Sequence, residues 1–377
     1  MLFSKGDLWL VPGRGSELTR FSRWDHASKS LSERFNNSHC LGVLKEMDDT
    51  DRKLLIMMAA NPRTNFQELA KALRISRQAV HHRIQVLTDI GVIKGTIASI
   101  SIPYLDAVPV VVFGRSKAAS IDENLDRLGE NESSCLAAVA GGNFVYVEGF
   151  LRDISELDSF AEFVRRTAEM SEPTVGIARF DEGLAPPYSV DGGKGKRNQR
   201  YKELSPLDLK IIASLKDNAR RPVTEIAEMV EVTPKTVRRH LEDMISEGSL
   251  CISAPMDLPS GGDLFLIMHV NLRDSADKGE VGRRLMSKHY FQDQYIRTFS
   301  NLPGFLMWVF WSDQMTEIRK ALKETSQDEY VQSVMLNFAY LERIYATWRD
   351  RLPAVQTRPH REPKTRKPHS GLRTQQP

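Results

Sequence analysis

Two clusters of polar and basic residues carry the chemistry that this sequence offers. They occupy matching places in two similar segments: Ser76, Arg77, Gln78, His81 and His82 in the first segment, and Thr233, Lys235, Thr236, Arg238 and Arg239 in the second. Arg and Lys donate hydrogen bonds to guanine and to phosphate, Gln pairs with adenine, and a helix N-terminus capped by Ser or Thr holds a phosphate. Both clusters are therefore expected to contact double-stranded DNA. The alternative is a helix face that is merely solvated.

A metal site at the two adjacent histidines is not expected. Consecutive residues point to different sides of a helix, and no carboxylate or thiol stands at a spacing that would complete a ligand set around His81 and His82. The three cysteines, Cys40, Cys135 and Cys251, are far apart and form no Cys-x-x-Cys or Cys/His pair. The sequence thus predicts no metal and no cofactor.

An internal repeat positions the two clusters. The segment that begins at Glu46 recurs from Glu203 at a constant offset of 157 residues without a gap, and it matches Arg63 with Arg220 and Gly91 with Gly248. Each copy has three runs with apolar residues at helical spacing, a tight turn before the third run, and a glycine at its end. This pattern is that of a helix-turn-helix. The strand-like run 91–102 is expected to supply the wing of the first unit.

After each helical unit the chain alternates strands and helices in the order βαββαβ, which predicts an antiparallel ferredoxin-like sheet with helices on one face. Phe305, Met307, Val309 and Trp311 would line one face of a single strand. That face is expected to pack against a partner sheet, from the other repeat or from another subunit. The fold class is therefore α+β, with two winged helix-turn-helix units that are each followed by a ferredoxin-like domain.

The expected organisation follows from these patterns. The segments are an N-terminal extension without clear pattern (1–45), the first winged helix-turn-helix (46–104), the first ferredoxin-like domain (105–182), a basic linker (183–202), the second winged helix-turn-helix (203–258), the second ferredoxin-like domain (259–352) and a basic, disordered tail (353–377). The formal net charge is only +3. No apolar run reaches the roughly 20 residues that cross a bilayer, and the N-terminus lacks a signal-peptide core. We expect a cytoplasmic protein without a membrane partner.

The first copy resembles the Lrp/AsnC (feast/famine) family of regulators. The resemblance is carried by Asp51 with Leu54-Leu55, by Glu68-Leu69-Ala70 with Ile75-Ser76, and by Leu87 with Gly91-Val92-Ile93. It implies a transcription regulator that binds DNA as a dimer, here either a homo-oligomer or a pseudo-dimer within one chain. Gly141-Gly142-Asn143 resembles the hairpin near which the family binds amino-acid effectors. The second copy departs from the pattern at Pro234 and in its hairpin, Asn301-Leu302-Pro303-Gly304.

Two other functions remain open at this stage. Siroheme decarboxylases resemble the same family, and their His/Tyr/Arg cluster before a Trp-containing strand is faintly echoed by His289-Tyr290, Arg297, Trp308 and Trp311. The matching strand of the first copy contains neither His nor Arg, so the sequence favours a protein that is not an enzyme. The third possibility is a scaffold for protein–protein interactions whose helix-turn-helix units no longer bind DNA.

Overall fold

A computed structural model describes residues 47–179, 202–289 and 292–356. The N-terminal extension, the basic linker up to residue 201, Tyr290 and the tail beyond residue 356 lie outside the described residues. Within these ranges the helices are α1 (Asp49–Ala60), α2 (Phe66–Leu73), α3 (Arg77–Asp89), α4 (Ile102–Leu105), α5 (Asp122–Leu128), α6 (Leu157–Thr167), α7 (Pro206–Leu215), α8 (Val223–Met229), α9 (Pro234–Glu247), α10 (Lys278–Lys288), α11 (Met315–Ser326) and α12 (Trp348–Gln356).

The strands within the same ranges complete the fold. They are β1 (Ile97–Ile100), β2 (Val108–Arg115), β3 (Ser134–Ala140), β4 (Phe144–Leu151), β5 (Thr174–Arg179), β6 (Leu250–Ser253), β7 (Leu264–Leu272), β8 (Gln292–Phe299), β9 (Phe305–Ser312) and β10 (Val331–Ile344). None of the helices in the described part of the chain is long and apolar enough to span a bilayer.

The two three-helix units form as the repeat predicts. The chain turns between the second and third helices through a left-handed residue at matched positions, Arg74 (φ 56°) and Glu231 (φ 57°). Gly91 (φ 83°) and Gly248 (φ 74°) lie in the left-handed conformation just past the third helices, which glycine adopts without a Cβ clash. The sequence-based expectation of two helix-turn-helix units is confirmed.

The expected wing differs from the structure. β1 does not fold back on its own unit but pairs antiparallel with β6 of the other copy, from Ile97 opposite Ser253 to Ile100 opposite Leu250. Ala98 and Ile100 are thereby buried in the hydrophobic core of the second helical unit. A four-residue strand leaves its backbone donors and acceptors unpaired unless another strand bonds to them. The strand that follows the third helix of the other copy supplies these bonds.

The remaining eight strands form one closed barrel in the order β10-β3-β4-β2-β5-β8-β9-β7. Within each copy the strands run fourth, first, third, second, which is the order of a ferredoxin-like sheet. The sheets do not stand alone, however. β10 pairs with β3 over Ala339–Ile344, and β5 pairs with β8 at Ala178 and Arg179. The α+β class is confirmed, whereas the two separate ferredoxin-like domains are corrected to one barrel that both copies share.

The apolar face of β9, which was expected to pack against a partner sheet, lies in the barrel interior. Met307 and Val309 are buried there, and Phe305 and Trp311 pack against them, opposite residues of the first copy such as Phe113. The helices α5, α6, α10 and α11 cover the outer faces of the sheets. The face of the second sheet therefore packs against the other repeat of the same chain.

A polar network of Tyr146, His269 and Asn337 lies inside this apolar interior. The hydroxyl of Tyr146 is 2.9 Å from Nε2 of His269, and Nδ2 of Asn337 donates to the same hydroxyl at 2.6 Å. The rings of Phe113 and Phe305 meet the histidine edge-on, at 5.3 and 5.2 Å between ring centroids. Burial lowers the pKa of His269 to about 4, so the imidazole is neutral near pH 7.

The last helix ties the barrel to the second helical unit. Nε1 of Trp348 donates to the carbonyl of Phe150 at 2.7 Å, and Leu352 packs on the core of the second unit. The helix continues to Gln356, so residues 353–356, which were expected to begin the disordered tail, are helical.

Candidate nucleic-acid interface

The third helix of each unit presents the predicted DNA-contacting residues to solvent. Its apolar side is buried through Val80 and Leu87 in α3, and through Val237, Leu241 and Met244 in α9. The exposed predicted residues are Ser76, Arg77, Gln78, His81, His82, Thr233, Lys235, Arg238 and Arg239. Thr236 alone is half-buried. Each helix thus turns one polar, cationic face outward and the opposite face into a core.

A capping hydroxyl that is exposed to solvent stands at the N-terminus of each third helix. Oγ of Ser76 accepts a hydrogen bond from the N–H of Ala79 at 3.0 Å, and Oγ1 of Thr233 accepts one from the N–H of Thr236 at 3.2 Å. The exposed hydroxyls and the positive end of the helix dipole lie together at these N-termini, an arrangement that suits phosphate. In α9 the side chain of Thr236 is 2.9 Å from the Thr233 hydroxyl, so it serves the cap.

The two adjacent histidines have different surroundings. The ring of His81 meets the ring of Phe66 edge-on, at 5.8 Å between centroids, while His82 follows it on the exposed part of α3. Phe66 is also covered by the guanidinium of Arg220, whose Cζ is 4.9 Å from the ring centroid. His81 therefore lies close to the boundary between the two copies.

A polar contact at matched positions joins each third helix to the first helix of its unit. In the first unit Nη1 of Arg83 lies 2.6 Å from Oδ1 of Asp51 and 2.8 Å from Oδ2 of Asp48. In the second unit Nδ1 of His240 lies 2.7 Å from Oδ1 of Asp208. Burial raises the pKa of Asp208, but hydrogen bonds from Ser205 and the contact with His240 outweigh it, so the pKa falls below its usual value.

A reciprocal pair of arginines joins the two helical units, and the sequence reasoning missed its role. The guanidinium of Arg63 donates to the carbonyls of Ala219 and Arg221, the latter at 3.3 Å. Arg220 donates to the carbonyls of Pro62 at 2.7 Å and Thr64 at 2.6 Å. Each arginine thus binds the backbone on both sides of the other. The available signal was that the repeat matches arginine with arginine at these positions.

The contacts of the two arginines are related by two-fold symmetry. Under the offset of 157 residues, each contact of one arginine becomes the corresponding contact of the other. Burial lowers the pKa of both arginines, and for Arg220 the charge of Arg63 adds to this effect. The two helical units are therefore related to each other as the subunits of a symmetric dimer are, although they belong to one chain.

The first helical unit is also held by the second half of the barrel. Nη2 of Arg52, which is 9% exposed, lies 2.7 Å from Asp263 and 3.1 Å from Asp313. The backbone N–H of Met47 donates to the carbonyl of Gly261. The second unit in turn packs on Tyr104 and Leu105, which follow β1 of the first copy. Each helical unit is thus braced by the other copy, which limits its freedom to move alone.

The glycine hairpin lies at the tip of β3 and β4. Gly141 and Gly142 are exposed, and Gly142 (φ 69°) and Asn143 (φ 56°) are left-handed. The N–H of Gly141 donates to the carbonyl of Phe338 at 3.2 Å, and Nδ2 of Asn143 donates to the carbonyl of Ala118 at 3.2 Å. The guanidinium of Arg115 covers the turn, since a Cβ on Gly142 would be 3.6 Å from its Nη2.

The residues that echo siroheme decarboxylases are divided between the two faces of the second sheet. His289 is buried beside Trp308, with 5.7 Å between ring centroids, on the side that the helices cover. Arg297 is opposite Met307 in the register of β8 and β9, hence on the barrel side, and its Nη1 lies 2.9 Å from Oε2 of Glu148. These side chains therefore do not share one face, and Tyr290 lies outside the described residues.

Comparison with known proteins agrees with the two helical units. The winged helix-turn-helix DNA-binding family matches residues 47–94 and 204–248. The HTH-type transcriptional regulator Ptr1 of Methanocaldococcus jannaschii is 32% identical over 150 residues, which are 39% of this chain and 97% of that protein. The HTH-type transcriptional regulator Rv2324 of Mycobacterium tuberculosis is 24% identical over 148 residues, 38% of this chain and 100% of that protein.

A solved structure with a similar fold covers both copies at once. The siroheme decarboxylase NirDL aligns with 81% of this chain and 98% of its own, with a TM-score of 0.52 and 15% sequence identity. At this identity the likeness concerns the fold alone. The likeness in fold therefore extends over both copies of this chain and not over one helical unit alone.

Proposed function

The chain belongs to the Lrp/AsnC family of helix-turn-helix transcription regulators, and we propose that it binds double-stranded DNA sequence-specifically through α3 and α9. The observation that carries the proposal is the exposure of a polar, cationic face on the third helix of both units. In each unit the residues that do not build the core are donors suited to base edges and phosphates.

The two helices divide the work according to their side chains. Arg238 and Arg239 are exposed cations on α9, and each can neutralise a phosphate and so release a counterion. Gln78 and His81 on α3 offer hydrogen-bonding nitrogen and oxygen atoms, which suit contacts with base edges. On this proposal α9 supplies more of the sequence-independent affinity, and α3 supplies more of the sequence preference.

The salt dependence of binding tests this proposal. Replacing both Arg238 and Arg239 by alanine should weaken binding to all duplexes and reduce the slope of log K against log salt by about 2, because each lost phosphate contact removes about 0.9. Replacing Gln78 or His81 by alanine should mainly change the ratio between preferred and random duplexes. Fluorescence anisotropy over a salt series measures both effects.

The matched control is the double alanine variant of Arg165 and Arg166. These arginines lie on α6 on the outer face of the barrel, where both pair with Glu162, and their loss changes the net charge by the same amount. The control should leave the salt slope unchanged. If the α9 variant behaves like the α6 variant, the third helices do not contact DNA.

We further propose that the glycine hairpin binds a small carboxylate, such as an amino acid, which would modulate DNA binding. The support is the guanidinium of Arg115 over an exposed turn whose backbone is free of side chains at Gly141 and Gly142. The competing explanation is a tight hairpin that needs two small residues.

A thermal-shift screen of the amino acids distinguishes these two explanations. A ligand at about 100 times its dissociation constant should stabilise the fold by roughly 2.7 kcal/mol. Arg115→Ala is the appropriate variant, because a side chain at Gly142 would strain a left-handed backbone whether or not a ligand binds. Stabilisation that persists in Arg115→Ala would locate the ligand elsewhere, and no stabilisation by any compound would leave the hairpin a purely structural turn.

The same proposal treats the chain as a regulator and not as an enzyme. Its support is that His289 and Arg297 belong to opposite faces of their sheet. The test is the absorbance spectrum of the purified protein during titration with siroheme. A saturable spectral change followed by loss of carboxylate from the tetrapyrrole would contradict the proposal.

A further inference from the structure

We infer that the DNA target of this chain is a non-palindromic site made of two different half-sites, one read by α3 and the other by α9. This inference rests on the proposed function and adds the class of DNA that is recognised. It follows from a scaffold that is two-fold symmetric and from recognition surfaces that are not.

The symmetry of the scaffold is fixed by three sets of contacts between the copies. Arg63 and Arg220 exchange equivalent backbone carbonyls, β1 pairs antiparallel with β6, and the two edges of each sheet join in the barrel. A two-fold dimer of identical chains presents two identical helices, which is why its operators are palindromes. In this chain the same geometry presents two helices whose sequences have diverged.

The divergence is concentrated on the side that faces solvent. Positions that pack in the cores keep their apolar character: Val80 matches Val237, Ile84 matches Leu241, and Leu87 matches Met244. Beyond the shared hydroxyl cap, exposed positions differ in chemistry: Gln78 matches Lys235, His81 matches Arg238, His82 matches Arg239, and Gln85 matches Glu242. The packing of the two helices has thus been retained while their outward faces have become different.

The side chains indicate what each half-site contains. Gln pairs best with the N6 and N7 atoms of adenine, so Gln78 and Gln85 of α3 favour A·T pairs, while Arg77 at the start of the helix suits phosphate. Lys235 suits the O6 and N7 atoms of guanine, and Glu242 can accept a hydrogen bond from cytosine N4, so α9 favours G·C pairs beside the phosphates that Arg238 and Arg239 neutralise. The mixed site therefore joins an A·T-containing half to a G·C-containing half.

Selection from random duplex DNA with the full chain is the first part of the test. The enriched sequences should contain two unlike half-sites at a constant spacing and should not be inverted repeats. Three duplexes are then compared by anisotropy: the mixed site, an inverted repeat of the first half, and an inverted repeat of the second. The wild type should bind the mixed site at least tenfold more tightly than either repeat.

The second part exchanges the reading residues within the intact chain. The forward variant, with Gln78→Lys, His81→Arg, His82→Arg and Gln85→Glu, gives α3 the outward face of α9. The reverse variant, with Lys235→Gln, Arg238→His, Arg239→His and Glu242→Gln, does the opposite. All eight positions are exposed, so both variants should unfold at the temperature of the wild type. Ratios between duplexes are compared, because the forward variant also gains charge.

The forward variant should prefer the inverted repeat of the second half-site, and the reverse variant that of the first. Selection of a palindrome by the wild type, or exchange variants that keep the wild-type order of the three duplexes, would overturn the inference while DNA binding itself stands. Failure to bind any duplex at low salt would instead refute the proposed function. The two failures are thus distinguishable.

Discussion

The reciprocal arginines are the contact whose removal should most directly loosen the two helical units from each other. In Arg63→Ala the carbonyls of Ala219 and Arg221 lose their donor, and in Arg220→Ala those of Pro62 and Thr64 do. All four bonds cross from one copy to the other, so their loss acts on the boundary and not on the interior of either unit.

The expected size of the effect follows from the kind of bond. A hydrogen bond from a charged donor contributes about 1.5–3 kcal/mol, and each arginine makes two. Part of that is offset because burial disfavours the guanidinium, as the lowered pKa of both side chains indicates, and because water can reach the freed carbonyls. We expect each substitution to lower the free energy of unfolding by about 2 kcal/mol, or the melting temperature by roughly 4 °C in a chain of this size.

The double variant should lose slightly more than the sum of the single losses. The two positive charges repel each other, since the charge of Arg63 lowers the pKa of Arg220. Each single substitution relieves this repulsion, but the double variant can relieve it only once. Urea unfolding followed by circular dichroism measures all three variants.

The neighbouring Arg221 supplies the control. Its side chain pairs within its own unit with Glu225, four residues on, a surface pair worth about 0.3–0.5 kcal/mol. Arg221→Ala removes the same charge without removing a side-chain contact between the copies. The reasoning is wrong if Arg63→Ala and Arg220→Ala are no more destabilising than Arg221→Ala.

Three further outcomes are expected. Burial lowers the pKa of His269 to about 4 from 6.5, so as the pH falls the unfolded chain binds a proton at this histidine before the folded chain does, and wild-type stability should fall by up to about 3 kcal/mol between pH 6.5 and pH 4. The urea midpoint of His269→Gln should not show this fall, and an equal fall in the variant would contradict the reasoning. Asp208 has a lowered pKa, so its carboxylate stabilises the fold at pH values above 3.8, the usual pKa of the group. Asp208→Asn should therefore cost about 1–2 kcal/mol near neutral pH and little in acid, and an equal loss at both pH values would exclude the contacts of this carboxylate with Ser205 and His240 as the cause. Deleting residues 357–377, which carry six Arg or Lys and one Glu, should lower DNA affinity several-fold at low salt and leave the melting temperature within about 1 °C; a large drop would mean that the segment packs on the fold.

Local structure was largely predictable because local rules determine it. Strands and helices follow each helical unit in the predicted order βαββαβ, and Ser76 and Thr233 cap the third helices as their types predicted. The exposed face of each third helix was predictable because the residues outside its buried apolar positions must face solvent. These features depend on a few neighbouring residues, and the repeat shows each such pattern in two copies of the sequence.

Pairing between the copies was not predictable in the same way. β1 has the pattern of an ordinary wing strand, and nothing in Ile97–Ile100 states whether its partner lies in its own unit or in the other. Closure of the barrel likewise depends on the edges of β10 and β3, which are 190 or more residues apart in the chain, and on hydrogen bonds of the backbone, which carry no residue signature. The match of Arg63 with Arg220 was visible, but its meaning required the fold.

Closure of the barrel within one chain also determines how DNA occupancy depends on the amount of protein. When two separate chains must associate before binding, dilution separates them, and occupancy falls with the square of their concentration. Here the two halves belong to one polypeptide chain, so β10 pairs with β3 and β5 with β8 at an effective concentration that dilution does not change. Occupancy should thus rise with the first power of the number of chains, so that a cell with few copies keeps every copy competent to bind.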